Sequence, residues 1–398
     1  MSYDLFNPTD EHRALREMVR DFTEREVEPQ AAEHDRTESF NLPLFRKLGE
    51  LGLLGITADP NHGGSGMDAT AACIVHEELS ASDPGFALAY LAHSMLFVNN
   101  LSVNGTEEQK ARFLPGSCSG ALVGGMCMSE AYAGTDVMGM KTRARRDGDH
   151  YVLNGSKMWI TNGGVSDTEM GDIFLVYACD DELTPEGSSR PKLTLFLVEK
   201  ERDGFSLGQK IHDKLGMRAS TTAELVLEDV RVPVTNVVGG AGGAIGSMMR
   251  NLEIERVTLA AMSCGIARRS VEIMNTYAQE RTSFGKPLNH FGQIQRHIAE
   301  SYAEYMAGRS YTYSFANRMG LSTSGTRLDS DGVKLFCSTM GKNVADRAIQ
   351  VLGGFGYVGE YVVERLWRDA KLLEIGGGTI EAHQKNMTQD LSRFDRLL

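Results

Sequence analysis

The stretch Trp159-Ile160-Thr161-Asn162-Gly163-Gly164 carries the chain's most specific chemical signal. A tryptophan two residues before a threonine, closed by Asn-Gly-Gly, suits a strand edge that lays an indole on something flat. The threonine hydroxyl can bond the rim of the same planar ligand, which we read as a flavin. Upstream, Met126-Cys127-Met128-Ser129 leads into a loop with Gly134, Thr135 and Asp136. Its hydroxyls and backbone N–H groups could serve a ligand, or the segment is an ordinary polar loop. Glu255 falls beside the apolar stripe of Leu252, Leu259 and Met262 at helical spacing. Such a carboxylate is either a boundary residue paired with Arg256 or, with burial raising its pKa, a base. Arg281 follows a helical run and is either a solvated partner of the helix dipole or a phosphate clamp. Gly354, Gly356 and Gly359 form a literal G-x-G-x-x-G. The segment before them, 343–350, reads as helix rather than strand, so the dinucleotide fingerprint fails its context. Those glycines suit close approach of backbone to backbone, or to a pyrophosphate at a helix end. Cys73, Cys118, Cys127, Cys179, Cys264 and Cys337 contain no C-x-x-C pair. They are expected to be free, buried thiols, with no metal site and no disulfide framework.

These residues need elements to position them. The first third has helical periodicity at 10–34, with Leu15, Val19, Phe22 and Val27 on one stripe and Thr9 or Asp10 as N-cap. Helices are also expected at 43–51, with Pro43 in the first turn, and at 69–82 and 107–113. From about residue 121 the texture becomes β-like. Strands are expected at 151–153, 173–177, 193–198 and 223–227, with turns at 146–149 and 154–155. After the glycine-rich hinge 239–243, helices return at 246–280 and 330–352. The order is α, then β, then α: an α+β chain with domains 1–122, 123–238 and 239–398, not a doubly wound sheet. The 398 residues carry a formal charge of −12, which argues against a nucleic-acid or anionic-membrane surface. No apolar run reads as approaching the roughly 20 residues of a membrane span, so no integral membrane segment is expected. The N-terminal residues carry neither a signal nor a transit pattern. The expected location is the bacterial cytoplasm, or the mitochondrial matrix for a processed precursor.

Taken together and in order, these segments resemble the acyl-CoA dehydrogenase family across essentially the whole chain. The matching stretches are 128–136, 154–164, 213–220, 280–285, 350–357 and 368–371. The resemblance implies an N-terminal helical domain, a middle β-barrel or sandwich, a C-terminal four-helix bundle, and FAD. It places the flavin ring against Met126, Met128, Ser129, Trp159 and Thr161. Arg281, Gln350, Gly353 and Gly354 would hold the adenosine pyrophosphate from a neighbouring subunit, and Thr379 and Glu381 would add further FAD contacts. Thr135, Glu253, Arg256, Gly376 and Gly377 would surround the acyl-CoA. A homotetramer, or at least a dimer, and an electron-transfer flavoprotein as acceptor are also implied. Acyl-CoA oxidases of this fold are much longer, which favours the dehydrogenase.

One departure bears on mechanism. Straight-chain members carry Tyr-Glu-Gly-Thr where this chain has Gly376-Gly377-Gly378-Thr379, so no base stands at 377. A minority of the family, including isovaleryl- and long-chain-type enzymes, place the base where this chain has Glu255, and the wider run is closest to the isovaleryl type. The resemblance then implies that Glu255 takes the α-proton while the β-hydrogen leaves as hydride to flavin N5, giving a trans-2-enoyl-CoA. The backbone N–H at 377 would remain as one oxyanion donor. Gly376 replaces a tyrosine ring, which favours a branched or cyclic acyl group; Met95, Leu96 and 89–93 are expected near the pocket floor. Gly292 and the tail 380–388 depart from the isovaleryl pattern. Three alternatives stand beside a short branched acyl-CoA dehydrogenase: a dehydrogenase of a cyclic, aromatic-substituted or longer acyl-CoA; a flavin monooxygenase or oxidase on the same fold; and a non-catalytic acyl-CoA or interaction protein.

Overall fold

The computed structural model describes residues 4–185, 188 and 191–394. Helix α1 (Asp10–Phe22) starts at Thr9, whose side chain accepts from His12 N–H. It continues through a π-helical turn, Thr23–Val27, into α2 (Glu28–Thr37). Pro29 in the first turn of α2 has no N–H to give, and the wider π turn before it absorbs that lost bond. Asn41 caps α3 (Leu42–Glu50), with Pro43 in its first turn as expected. Asp68 caps α4 (Ala69–Ser80). Next come α5 (Pro84–Leu91), a second π-helical segment (Ala92–Asn99) and α6 (Asn100–Asn104). This run was not anticipated: it is apolar on every side, so it offers no periodic signal. It also corrects the expectation about membrane-length segments. Pro84–Asn104 is 21 residues long and apolar enough to cross a membrane, but 89% of its apolar window is buried inside this chain. A capping box at Thr106 and Gln109 opens α7 (Glu107–Cys118), which runs past Phe113 through Pro115.

The middle domain contributes β1 (Gly124–Cys127), β2 (Arg143–Asp147), β3 (His150–Thr161), β4 (Ile173–Asp180), β5 (Leu193–Glu199), β6 (Phe205–Lys210), β7 (Thr222–Pro233) and β8 (Val237–Val238). They form one sheet in the order β6-β7-β3-β2-β4-β5-β8, with β1 parallel to β4. Both faces of β4 are buried. Leu175 and Tyr177 pack towards Phe97, Leu101 and Met248 of the helices. Phe174, Val176 and Ala178 pack against Tyr151, Leu225 and Val230 of β3 and β7. The sheet therefore bends over its own core, as a barrel or sandwich does. Asn154-Gly155 is not the expected turn. It sits inside β3 at a register shift, where Asn154 exchanges two hydrogen bonds with Asp229 (3.0 and 2.9 Å) and forms a bulge.

The C-terminal domain opens with α8 (Ala244–Glu280), 37 residues or about 55 Å long. A small hairpin, β9 (Thr282–Ser283) with β10 (Lys286–Pro287), leads to α9 (Gly292–Ala316). Then come α10 (Arg327–Leu352), α11 (Gly354–Tyr357), α12 (Val363–Leu373) and α13 (Ile380–Leu391). Helix α10 packs along α8 and also meets α9, α12 and α13, which builds the helical bundle. The G-x-G-x-x-G lies after helix α10, with Gly353 at φ +60, so the dinucleotide reading fails on structure as it does on sequence. All six cysteines are free and buried.

Candidate active site

Glu255 is 8% exposed, in the middle of α8. Burial lifts its pKa from 4.5 to about 7, against the pull of the Arg256 and Lys334 cations. Its Oε2 has no hydrogen-bond partner among the described residues. The loop after α12 brings Gly377 against it: a Cβ on Gly377 would lie 3.4 Å from the Glu255 carboxyl carbon and 2.3 Å from Leu259 Cδ1. Gly377 also stands at φ +66, where side chains are strained. Its N–H donates to no described residue. A buried carboxylate and a residue with an unpartnered backbone donor among the described residues thus lie against each other. At Gly376 a Cβ would meet Leu372 at ordinary van der Waals spacing, 3.6 Å or more, so a side chain there would not clash.

The loop carrying Gly377 is held from behind by residues that sequence reasoning missed. Gly378 O accepts from Lys334 Nζ (2.8 Å) and bonds His383 Nε2 (3.0 Å). His383 Nδ1 lies 2.7 Å from Asp331 Oδ1, and Arg256 Nη1 lies 2.9 Å from the same oxygen. Burial pushes the Lys334 pKa down to about 7, opposed by Glu255. A lysine within the otherwise apolar run 332–337 of α10 was the available signal. Arg256 is committed to Asp331 on the bundle side of α8. Glu253 departs from its expected place around the substrate. Its carboxylate accepts from Gly325 N, Thr326 N and Thr326 Oγ1 (3.1, 3.1 and 2.6 Å). Two residues from Glu255 means about 200° around the helix, so it caps the start of α10 instead.

The flavin-facing edge expected from sequence comes together on adjacent strands. Met158 N donates to Ser129 O (2.9 Å), which sets the Met126–Ser129 segment beside Trp159 and Thr161. The buried Lys157 braces that junction, donating to Met128 O (3.2 Å) and Glu130 Oε1 (2.8 Å). The β3–β7 register shifts between Lys157 and Ile160, and Trp159 takes φ +60 with half its surface exposed. A bulge of this kind re-aims a side chain, here turning the indole out of the sheet. Asn162, wholly buried, donates to Ala89 O (2.9 Å) and Gly124 O (3.2 Å), fixing the strand end to α5 and β1. Thr135 is exposed on the neighbouring loop. Thr379 caps α13 by accepting from Ala382 N, and Glu381 is exposed in that helix's first turn. A half-exposed indole beside Ser129 and Thr161 fits a planar ring system.

A second group lies elsewhere. Arg281 ends α8, with its guanidinium 5.9 Å from the Phe355 ring centroid. Gln350, Gly353 and Gly354 are exposed around the end of α10 next to Phe355. Arg281 is 26 residues beyond Glu255 on one helix, about 39 Å away. These residues therefore do not share a protomer's pocket with Glu255. The segments 213–220 and 368–371 join domains: Met217 N donates to Asp369, and Arg368 pairs with Asp35 at 2.8 Å.

The comparisons follow the same layout. Residues 9–121, 125–230 and 243–391 match the acyl-CoA dehydrogenase N-terminal, middle and C-terminal domains. The mitochondrial isovaleryl-CoA dehydrogenase of Solanum tuberosum is 40% identical over 384 residues, 96% of this chain and 90% of that protein. Butyryl-CoA dehydrogenase of Megasphaera elsdenii superposes with a TM-score of 0.91 at 33% identity, covering 99% of this chain and 100% of that one. A Mycobacterium smegmatis glutaryl-CoA dehydrogenase in complex with FADH2 superposes at 0.89 with 28% identity, covering 98% and 96%. A protein with this sequence and this three-domain fold belongs to the acyl-CoA dehydrogenase family and is a flavoprotein oxidoreductase.

Proposed function

We propose that the chain oxidises a short branched acyl-CoA to its trans-2-enoyl-CoA with FAD, using Glu255 as the α-proton acceptor. The observation that carries this reading is the buried Glu255 carboxylate lying against Gly377, which has no side chain and whose N–H has no partner among the described residues. A thioester α-C–H is a weak acid, and its deprotonation builds charge on the carbonyl oxygen. A base held near pKa 7 is matched to that proton at neutral pH. The Gly377 N–H can stabilise the oxygen as it gains charge, and Lys334 and His383 anchor the loop just beyond it through Gly378 O. Met126, Met128, Ser129, Trp159, Thr161, Thr379 and Glu381 would hold the isoalloxazine end of FAD. Arg281, Gln350, Gly353 and Gly354, too distant within the protomer, would reach FAD of a neighbouring subunit, in a homotetramer. When bound, FAD supplies the acceptor for the β-hydrogen and its electron pair. We further infer an electron-transfer flavoprotein as the onward acceptor and a bacterial cytoplasmic setting.

Branching is supported by the absence of any side chain at Gly376 and by the isovaleryl-CoA dehydrogenases among the relatives. Anaerobic mixing of the purified flavoprotein with isovaleryl-CoA, 2-methylbutyryl-CoA and butyryl-CoA tests the reading through loss of flavin absorbance. Bleaching fastest with a branched thioester is expected. Absence of bleaching with every thioester, or rapid oxygen uptake by the reduced protein, would refute it.

A further inference from the structure

The run Gly376-Gly377-Gly378 has no side chain to hold it, and glycine-only backbone is conformationally free. It is tied from outside at two points. Gly376 N donates to Leu372 O (2.8 Å) at the end of α12. Beyond Gly377, the tie is the Gly378 carbonyl, which accepts from Lys334 Nζ (2.8 Å) and lies 3.0 Å from His383 Nε2. The His383 ring is seated on the loop itself: a Cβ on Gly378 would lie 2.8 Å from ring Cε1 and 3.0 Å from Nε2. The other ring nitrogen, Nδ1, lies 2.7 Å from Asp331 Oδ1 of α10.

Both neighbours of this ring are acceptors. A neutral imidazole donates from one nitrogen and presents a lone pair at the other. Both contacts are hydrogen bonds only when the ring carries two protons or Asp331 carries one. In either case the His383–Asp331 pair holds one proton more than a neutral ring beside a carboxylate. Arg256 Nη1 of α8, 2.9 Å from the same Asp331 oxygen, favours the ionised carboxylate and so places that proton on the ring. Burial, joined by the Lys334 and Arg256 cations, pulls the ring's pKa below the usual 6.5, and the Asp331 bond opposes them. The other charges nearby are engaged elsewhere. Asp390 of α13 accepts from Arg327 (2.8 Å), Glu381 is exposed, and Glu255 and Glu374 act on Lys334. His383 and Asp331 are wholly buried, so water does not replace a bond that is lost. When the pair gives up its extra proton, the ring keeps its bond to the nearer, charged Asp331. Nε2 then turns a lone pair towards Gly378 O, and the loop beyond Gly377 hangs from Lys334 alone.

We infer that His383 is a positioning residue whose doubly protonated ring, braced by Asp331, holds the Gly376–Gly378 loop against Glu255, so that the site is set only while the His383–Asp331 pair keeps its extra proton. This rests on the dehydrogenase reading above and adds its regulation by pH. Ionisation of Glu255 raises the rate as pH climbs, and release of the ring proton lowers it through the loop. The alkaline fall in turnover therefore belongs to α13 and α10, not to the base.

Two measurements on the holoenzyme test this from about pH 5.5 to about 9.5. Stopped-flow flavin bleaching with isovaleryl-CoA gives the rate profile. Carbon NMR of protein labelled at the histidine Cε1 positions gives the ring's state without turnover, the His383 signal being the one missing from His383→Gln. The wild-type ring should pass from doubly to singly protonated, with the bleaching rate falling about 10-fold over the same interval. His383→Gln, whose amide donates to Gly378 O and does not titrate, should lose the alkaline fall. His383→Phe, with no donor, should be about 10-fold slower at acid pH and equally flat above it. Asp331→Asn should move the fall to lower pH. A wild-type ring whose state does not change across the range overturns the inference, and this outcome needs no variant to fold. An alkaline fall that persists unchanged in His383→Gln also overturns it, because the ring then only fills space. If no thioester bleaches the flavin, the dehydrogenase reading falls, while the NMR titration still decides whether the pair holds and releases the proton.

Discussion

Replacing Glu255 with glutamine tests both the chemistry and the energetics of the site, because the two effects have opposite signs. The substitution keeps the side-chain volume and removes the base. Loss of a positioned general base should reduce the rate of flavin reduction by about 10²- to 10⁴-fold. Stability should move the other way. The carboxyl rises from an ordinary 4.5 to about 7 in the fold because burial disfavours its charged form. A group whose folded pKa lies above its unfolded value favours the fold below the unfolded pKa, and that advantage is lost as pH climbs through the folded one. Between pH 4.5 and about 7 the wild type should therefore lose ~3 kcal/mol, at 1.36 kcal/mol per tenfold change in proton affinity. Glutamine carries no such charge. Glu255→Gln should unfold at a similar urea concentration to wild type at pH 5 and at a clearly higher one at pH 8.5, with flavin still bound. Equal midpoints at pH 8.5 would mean that Glu255 is not forced to ionise in a dry site. Full bleaching by substrate in the variant would mean that the proton leaves by another group.

Three further outcomes follow from the same geometry. In Lys334→Met, Glu255 loses one of the two cations that oppose the effect of burial, so its pKa should rise and the acid limb of the kcat/KM profile should move to higher pH; an unmoved limb would leave Lys334 a purely structural role. Gly377→Ala places a methyl 2.3 Å from Leu259 Cδ1 at a positive φ, and displacement of that peptide should cost about 10²-fold in kcat, measured by stopped-flow bleaching with the circular dichroism spectrum unchanged. Arg281→Ala, about 39 Å from Glu255 along α8, should release flavin on dialysis and be rescued in mixed oligomers with Glu255→Gln subunits, whereas flavin retained at wild-type affinity would place its pyrophosphate elsewhere.

What the sequence made legible depended on whether a residue's signal is local. The helix cap at Thr9, Pro43 in the first turn of its helix and the Trp159–Gly164 run are local chemistry, and the structure places each of those elements as the pattern implied. The run Pro84–Asn104 was not legible because burial on all sides erases periodicity. Asn154-Gly155 reads as a turn by composition, yet long-range pairing with Asp229 makes it a bulge inside β3. Glu253 and Glu255 look interchangeable in a string. The 200° between them, and the neighbours offered by Thr326 on one side and Gly377 on the other, separate a cap from the proposed base.

The same reasoning explains how a base can sit on α8 while the donor stays on the loop after α12. Gly377 contributes only its backbone, so the donor's position depends on what holds the peptide, and Lys334 and His383 hold it through Gly378 O. Nothing in that support requires a carboxylate at 377. The base requires a dry wall with a nearby cation, which Leu259 of α8 and Lys334 of the adjoining α10 provide.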